Sequence, residues 1–393
     1  MKKAMKQKLL ETKNAYIVPA LLSLIVVTFA VLISNGHLFQ VFFFPDPDDT
    51  GMDFFNSMVE VSTRKPYEQY HVLYPPLANL FFYVLTLFVP NAIKSEWPAN
   101  HEAVKGMVGT DEDLRLTQSA LLIFLTVLIL SLFLMTVMIH RRTHNYLLTF
   151  CLVLSAGTLA AIERGNIVLI AFLLTFYFVE HYNDESRLKS ELALLALAAA
   201  FGLKLYPCVF GLLLLKDRKF AAAGRAILYA ALATVIPTFF LEGPSSLSDW
   251  LRIVFVPGGN SAADASSETS GFALPLNMIL FMILGLILLI VIFVKRNGTP
   301  LIQFLLPSQI LFLITFISVL IGDGASGYNL VFFLIPFLAF LEEERSLSRY
   351  NCIEFLIYLI CLIPLGINEV TYLFFGLFLI GCGLRLCKSL RQA

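Results

Sequence analysis

The sequence predicts an all-α polytopic membrane protein. Of its 393 residues, 58% are hydrophobic and only 14% are charged, whereas soluble globular proteins are about 45–50% apolar and about 25% charged. The 36 phenylalanines and the long apolar runs exclude a disordered chain. The 28 basic and 28 acidic residues sum to a net charge of zero, which gives no reason to expect nucleic acid as a partner.

Apolar segments of two kinds run along the chain. A membrane-spanning helix needs about 20 largely apolar residues. Clear candidates are 15–34, 116–139, 273–294, 301–321 and 370–386. Shorter or more crowded candidates are 146–161, 166–180, 190–215, 224–241, 328–341 and 353–366. Interrupted segments are tolerated at membrane depth only where protein or an aqueous cavity surrounds them. We therefore expect about 11–13 transmembrane or re-entrant helices, in a single domain over 1–393 with an internal cavity.

The distribution of lysine and arginine predicts the orientation. Five lysines in residues 1–14 make this segment a cytoplasmic tail. The acidic or neutral connections are assigned outside, chiefly a first outer loop at 35–75 and a second at 242–272. One segment is ambiguous, because Pro75–Pro90 can cross the membrane or dip in and return. The second version keeps loop 91–115 outside and Arg141–Arg142 inside, provided that 190–215 is a pair of short helices hinged near Lys204, and we favour it.

The first outer loop carries the first candidate chemistry. Four aspartates follow the first apolar segment, at 46, 48, 49 and 53. The residues from Asp53 to Val61 have the spacing of a short amphipathic helix at the membrane surface. A carboxylate at the rim of a low-dielectric cavity can accept a proton from a hydroxyl. Asp53 and Asp49 are therefore candidate general bases, and a solvated acidic loop is the alternative.

Charged residues within or beside apolar segments form the second group of candidates. An intramembrane charge is a functional hypothesis by default because it is expensive. Arg164 can bind a phosphate through its planar fork, and Asn166 can hydrogen-bond a sugar hydroxyl. A local pairing of Glu163 with Arg164 is the alternative. Lys204 lies in a long apolar run, where a lysine costs about 2.5–3.5 kcal/mol, so it needs an anionic partner or a water-filled cleft unless it snorkels from a helix end.

The remaining candidates are polar or aromatic residues near the predicted outer face. Pro75 and Pro76 favour a helix start just after Tyr74, and Pro207 is expected to break the helix just after Lys204. Further candidate substrate-binding residues are His71, Tyr74, Tyr206, Asn260 and Tyr328. Asn260 belongs to a Gly-rich stretch with the composition of a flexible lid. Tyr328 can face the cavity, and an ordinary turn without a function is the alternative.

No disulfide, zinc site or cofactor is expected. The six cysteines lie within or beside apolar stretches, and none forms a CxxC pair, so we interpret them as small buried hydrophobic residues.

The order of these motifs resembles a known family. An outer loop with Asp and then Pro-Tyr is followed by Tyr-Pro-Pro-Leu, a Gly-Asn turn, Leu-Lys-Leu-Tyr-Pro, a Gly-Asn-Ser stretch and a late Tyr-Asn-Leu before Ile-Pro. This arrangement, over about 15–340, resembles the bacterial polyprenyl-phosphate-mannose-dependent mannosyltransferases of the GT-C superfamily.

The resemblance implies a fold, a reaction and roles for some residues. It implies a GT-C-like enzyme of the cell membrane that transfers one mannose-like hexose from a polyprenyl-phosphate donor to an envelope glycan or glycolipid. Transfer occurs on the outer face with inversion and without a metal, so the partners are the donor, the acceptor and membrane lipid. An aspartate of the first outer loop, Asp53 or Asp49, is the base. Lys204 falls on the Lys-x-x-Pro position that holds the carrier phosphate, and Asn166 on the Gly-Asn turn.

Two other classes of protein fit part of the pattern. A lipid-linked sugar flippase would also use interrupted helices around intramembrane charges, but the chain has no visible repeat. An envelope polysaccharide polymerase or ligase usually has paired arginines in a late outer loop, whereas 242–272 contains only Arg252.

Overall fold

The computed structural model describes residues 50–95, 97, 117–243, 245–255, 276–296, 298–321 and 327–343, with isolated positions at 21, 25, 28, 29, 32, 33, 381 and 383. Within these residues the chain is almost entirely helical, as predicted for an all-α membrane protein. A two-stranded antiparallel ribbon, Lys295–Arg296 with Thr299–Pro300, is the exception. The predicted span at 353–366 and most of those at 15–34 and 370–386 lie outside the described residues.

The helices are numbered here in chain order. The first group is α1 (Met52–Ser62), α2 (Pro66–Tyr70), α3 (Pro76–Thr86), α4 (Asn91–Lys94), α5 (Gln118–Thr143), α6 (Tyr146–Val153), α7 (Ala156–Arg164), α8 (Val168–His181) and α9 (Arg187–Leu203). The second group is the 3₁₀ helix η1 (Tyr206–Gly211), α10 (Leu212–Lys216), α11 (Phe220–Thr238), α12 (Ser245–Phe255), α13 (Leu276–Phe293), η2 (Leu301–Phe304), α14 (Pro307–Ile321), η3 (Gly327–Phe333) and α15 (Leu334–Glu342).

Long and interrupted apolar helices are both present. Among the described residues, α5 and α11 are long and apolar enough to cross a membrane, and α6 with α7 is a pair bent by 50° that makes a third if it is one broken span. At 1.5 Å per residue, α5 is about 39 Å long and α11 about 28 Å, against about 30 Å of hydrocarbon. The other apolar helices are shorter, as the interrupted sequence segments indicated.

The break at Lys204 was predicted correctly. Helix α9 ends at Leu203, and Lys204 has extended backbone angles, with φ −146° and ψ 133°. The chain then continues into η1, where Pro207 occupies the first turn. Segment 190–215 is therefore two short helices, and the lysine stands at their junction instead of in mid-helix.

Helix α3 begins as predicted, with Pro75 at its N-cap and Pro76 as its first residue. Its 11 residues extend about 16 Å, roughly half the hydrocarbon thickness. This length suits a segment that dips into the membrane. The return would lie largely in 96–116, of which only residue 97 is described, so re-entry stays a prediction.

The two ends of the bundle carry different polar groups. At one end, Arg142 of α5 pairs with Glu180 of α8 and, at 2.9 Å, with Glu342 of α15. At the other end lie the first turn of α1 and the junctions after α7 and α9, which carry Asp53, Arg164 and Lys204. The predicted orientation would put the Arg142 end on the cytoplasmic side, and it stays a prediction.

The core is rich in phenylalanine and holds α1 in place. Phe54 packs against Phe82 of α3 and Phe124 of α5, with ring centroids 5.4 and 5.2 Å apart. Seven of the eleven residues of α1 are buried. The predicted helix is therefore present, but its aromatic side chains fill the protein interior, since α3 and α5 both pack on it.

Candidate active site

Asp53 is held by two residues from the turn after α7. Its Oδ1 accepts a hydrogen bond from Arg164 Nη2 at 2.9 Å, and its Oδ2 accepts one from Asn166 Nδ2 at 2.6 Å. The Asp53 side chain is 19% exposed and that of Arg164 is 32% exposed. The carboxylate is therefore oriented on both oxygens while it stays accessible to a ligand.

The orientation of the Asn166 amide is fixed by its own contacts. Its Oδ1 accepts from the backbone N–H of Val168 at 2.9 Å, so the opposite atom that faces Asp53 is the NH₂ group. Amide orientation is otherwise ambiguous and must be assigned from such a network. Asn166 thus acts as a hydrogen-bond donor in the site.

Two glycines bring the aspartate and the arginine together. Gly51 N–H donates to the Glu163 carbonyl at 2.7 Å. Gly165 has φ +65°, and a Cβ there would lie 2.8 Å from the Gly51 carbonyl oxygen. The first outer loop therefore docks directly on the turn that ends α7. Arg164 reaches Asp53 as a result, so a purely local pairing of Glu163 with Arg164 is wrong.

Tyr74 links this pair to Lys204. Its hydroxyl oxygen accepts from Asn166 Nδ2 at 3.3 Å and from Lys204 Nζ at 3.2 Å. The Lys204 ammonium also lies 4.2 Å from the centroid of the Tyr74 ring and 5.4 Å from that of Tyr328. Asp53, Asn166, Tyr74 and Lys204 therefore form one connected chain of side chains, although they come from four separate parts of the sequence.

Near Lys204, this series of connected side chains is rich in hydrogen-bond donors. The Tyr74 oxygen accepts hydrogen bonds from both Asn166 and Lys204, so its own O–H is available to donate to a bound ligand. Burial, and secondly the charge of Asp53, raise the pKa of Tyr74, so this group keeps its proton. Tyr206 is 4% exposed, and among the described residues its hydroxyl has no hydrogen-bond partner.

These donors suit an oxyanion. The Tyr74 hydroxyl oxygen lies 3.2 Å from the Lys204 ammonium, and the centroid of the Tyr328 ring lies 5.4 Å from it. Preorganised donors in a site shielded from water are the usual means of stabilising negative charge. The arrangement can therefore bind an anion at Lys204 while a carboxylate stands at the other end of the chain.

The other sequence candidates have different outcomes. His71 is exposed at the end of α2, with φ +50°. Among the described residues, its side chain makes no contact with the site. Asp49 and Asn260 lie outside the described residues. Arg164 was expected at a phosphate but contacts the base candidate. Among the described residues, no three His, Cys, Asp or Glu side chains are grouped as a metal site.

Sequence reasoning missed two aromatic residues beside Tyr74. The Tyr67 hydroxyl donates to the Tyr74 carbonyl at 3.0 Å, and Trp250 Nε1 donates to the Leu73 carbonyl at 3.3 Å. Tyr67 belongs to the Pro-Tyr motif, but that motif did not indicate this contact within the first outer loop. The Trp250 contact depends on how the two outer loops meet.

Comparison with known proteins gives one match. The model of glycosyltransferase family 87 matches residues 72–321. The matched segment includes Tyr74, Arg164, Asn166 and Lys204, and it begins after Asp53. No curated protein and no solved structure matches the chain.

Proposed function

The chain belongs to glycosyltransferase family 87, and we propose that it transfers one mannose-like hexose from a polyprenyl-phosphate carrier to a hydroxyl of an envelope glycan or glycolipid. The reaction takes place on the extracytoplasmic face of the cell membrane, and the N-terminus is cytoplasmic. The observation that supports this most is the chain of contacts from Asp53 through Asn166 and Tyr74 to Lys204. It puts a carboxylate and a cationic group in one site.

The proposed step is a single displacement at the anomeric carbon. The acceptor hydroxyl oxygen forms a bond to C1 of the hexose, and its proton passes to an Asp53 carboxylate oxygen. The bond between C1 and the phosphate oxygen breaks, and its electron pair leaves with the polyprenyl phosphate, which gains one negative charge. Attack opposite to the leaving group inverts the configuration at C1.

Asp53 suits the role of base because of how its oxygens are used. An ionised carboxylate has about four lone-pair sites, and Arg164 and Asn166 take one on each oxygen. Each oxygen keeps an acceptor site for a substrate hydroxyl. We assign Arg164 to the orientation of this base instead of to the carrier phosphate.

Lys204 and the phenols suit the leaving group. A departing phosphate needs no proton but does need compensating positive charge and hydrogen-bond donors. The Lys204 ammonium lies 3.2 Å from the Tyr74 hydroxyl oxygen. Its position at the junction of two short apolar helices would let the phosphate sit at headgroup depth while the polyprenyl tail remains in lipid.

The test is sugar transfer by Asp53→Asn in nanodiscs, with a labelled polyprenyl-phosphate hexose as donor. Asparagine keeps the shape of the side chain but cannot take the proton, so the rate of sugar transfer should fall by about 10²–10⁴-fold. Asp49→Asn is the matched control from the same loop and should keep most of the activity. Full activity in both variants would remove the catalytic assignment, and loss only in Asp49→Asn would make Asp49 the base.

A further inference from the structure

The backbone that carries Tyr74 has little regular structure of its own. Residues 71–73 between α2 and α3 are neither helix nor strand. The two prolines that follow, Pro75 and Pro76, have no backbone N–H with which to tie the chain down. The position of the Tyr74 hydroxyl therefore depends on contacts made by other parts of the molecule.

Side chains anchor two consecutive carbonyls at this point. The carbonyl of Leu73 accepts from Trp250 Nε1 at 3.3 Å. The carbonyl of Tyr74 accepts from the Tyr67 hydroxyl at 3.0 Å and from Asn79 Nδ2 at 3.5 Å. Burial raises the pKa of Tyr67, so its phenol remains a donor at physiological pH. The segment is thus held from α2, α3 and α12.

These anchors belong to a small apolar cluster of their own. Tyr67, Leu241, Trp250 and Ile253 are all at most 7% exposed and form a second core, separate from the main one. We call these four residues the outer clamp. Leu205 and Tyr83 pack against it, and Leu205 directly follows Lys204. The outer clamp therefore contacts the backbone at Leu73 and Tyr74 and packs against the residue that follows Lys204.

Further contacts join the two outer loops around the outer clamp. Arg64, at the end of α1, donates through Nε and Nη2 to the Phe240 carbonyl at 3.0 and 2.7 Å. The Glu68 N–H donates to Glu242 Oε1 at 3.4 Å. Helix α12 of the second outer loop is thus fastened to the segment that leads into Tyr74, although about 180 residues of sequence separate them.

We infer that Trp250 and Tyr67 are positioning residues, which set the Tyr74 hydroxyl between Asn166 and Lys204 without touching substrate. The inference rests on the proposed function for the importance of Tyr74. A packing role alone would predict only a change in stability. A positioning role predicts that the two residues affect transfer through the Tyr74 oxygen, and that their effect disappears when this oxygen is absent.

The experiment is a double-mutant cycle on kcat/KM for sugar transfer, with Trp250→Phe and Tyr74→Phe. Trp250→Phe keeps an aromatic ring but removes the indole N–H donor together with part of the ring volume, and for the lost hydrogen bond we expect a fall of about 2- to 10-fold, the range that one neutral hydrogen bond supplies. In the Tyr74→Phe background, the same change should have no further effect. Tyr67→Phe removes a single oxygen and should behave in the same way, which keeps the test decisive if Trp250→Phe expresses poorly.

Trp97→Phe is the matched control, since it makes the same change at the other tryptophan of the chain. Trp97 is 2% exposed, and among the described residues its Nε1 has no hydrogen-bond partner, so transfer should be unchanged. Additive losses in the cycle, or full activity of both Trp250→Phe and Tyr67→Phe, would overturn the positioning role.

Failure of this inference is distinguishable from failure of the proposed function. The cycle is measured with whichever sugar donor the wild-type protein uses. Transfer from a different donor class would contradict the proposed function and still allow the cycle to be completed.

Discussion

Replacement of Tyr74 by phenylalanine tests the connection between the two halves of the site. The substitution removes one oxygen, which accepts hydrogen bonds from Asn166 at 3.3 Å and from Lys204 at 3.2 Å. The ring is retained, so the contact of the Lys204 ammonium with the aromatic face, 4.2 Å from the centroid, can persist. The change therefore isolates the hydrogen bonds.

The size of the effect follows from the two bonds that are lost. A hydrogen bond from a charged donor contributes about 1.5–3 kcal/mol and a neutral one about 0.5–1.5 kcal/mol. Both distances are at or just beyond the long end of the normal range, so values near the lower ends apply. A combined loss of about 2–3 kcal/mol corresponds to a fall of roughly 30- to 150-fold in kcat/KM.

The assay is steady-state sugar transfer in nanodiscs, with Tyr229→Phe as the control. Tyr229 also loses a hydrogen bond in this change, the one that its hydroxyl donates to Glu191 at 3.2 Å. Glu191 lies in the first half of α9, whereas Lys204 follows the end of this helix. Its activity should be unchanged. If Tyr74→Phe stays within about threefold of wild type, far below the loss expected for these bonds, Tyr74 does not join Asp53 to Lys204 in the working site.

Three further substitutions test the remaining parts of the site. Lys204→Ala should raise the apparent KM for the lipid donor at least about tenfold, roughly 1.4 kcal/mol, because the phosphate loses its positive partner. Titration with the lipid donor measures this KM. Arg164→Gln should lower kcat about tenfold or more with little change in donor KM, because the Asp53 carboxylate loses the charged hydrogen bond that orients it. Separate determination of kcat and donor KM checks this. Gly165→Ala should lower both the midpoint of thermal unfolding and the activity, because its φ of +65° is strained for alanine and the new Cβ would meet the Gly51 carbonyl 2.8 Å away.

Each of these variants has a control with the same chemical change elsewhere. Lys189→Ala and Arg225→Gln alter basic residues that pair with Asp184 and Glu191 at the opposite end, and transfer should survive both. Gly224→Ala adds a Cβ that meets nothing within 4 Å, so stability should not fall. A donor KM unaffected by Lys204→Ala, or a kcat unaffected by Arg164→Gln, would contradict the role given to that residue.

The parts of the fold with local signals were predictable from sequence. A lysine within an apolar run followed by Pro207 indicated the break after α9, because neither residue suits an uninterrupted membrane helix. Pro75 and Pro76 indicated the start of α3 in the same way. Asp53 was identified as a candidate from its place in an acidic outer loop, and the structure puts it in the first turn of α1.

The partnerships between distant residues were not predictable. Arg164 pairs with Asp53 across 111 residues of sequence, and this depends on the close approach of Gly51 to Gly165. One sequence offers no signal for such an approach, since a glycine after a helix is explained equally well as an ordinary C-cap. The same reasoning explains why Trp250 was missed, since the Leu73 carbonyl that it contacts is 177 residues away in sequence.

Family membership resolves one of the alternatives left open by the sequence. A flippase and a glycosyltransferase can share interrupted helices and intramembrane charge, so neither feature distinguishes them. The match to glycosyltransferase family 87 identifies a transferase.

The donor requirement of the purified protein is the most direct measurement. Nanodisc-embedded wild type is incubated with a glycolipid acceptor and either a labelled polyprenyl-phosphate hexose or the corresponding nucleotide hexose, and products are separated by mass. We predict transfer from the lipid donor only, with release of one polyprenyl phosphate per sugar transferred and no turnover in Asp53→Asn. Transfer from the nucleotide hexose, or transfer at the wild-type rate in Asp53→Asn, would contradict a site built from an aspartate base and a lysine-bound lipid phosphate.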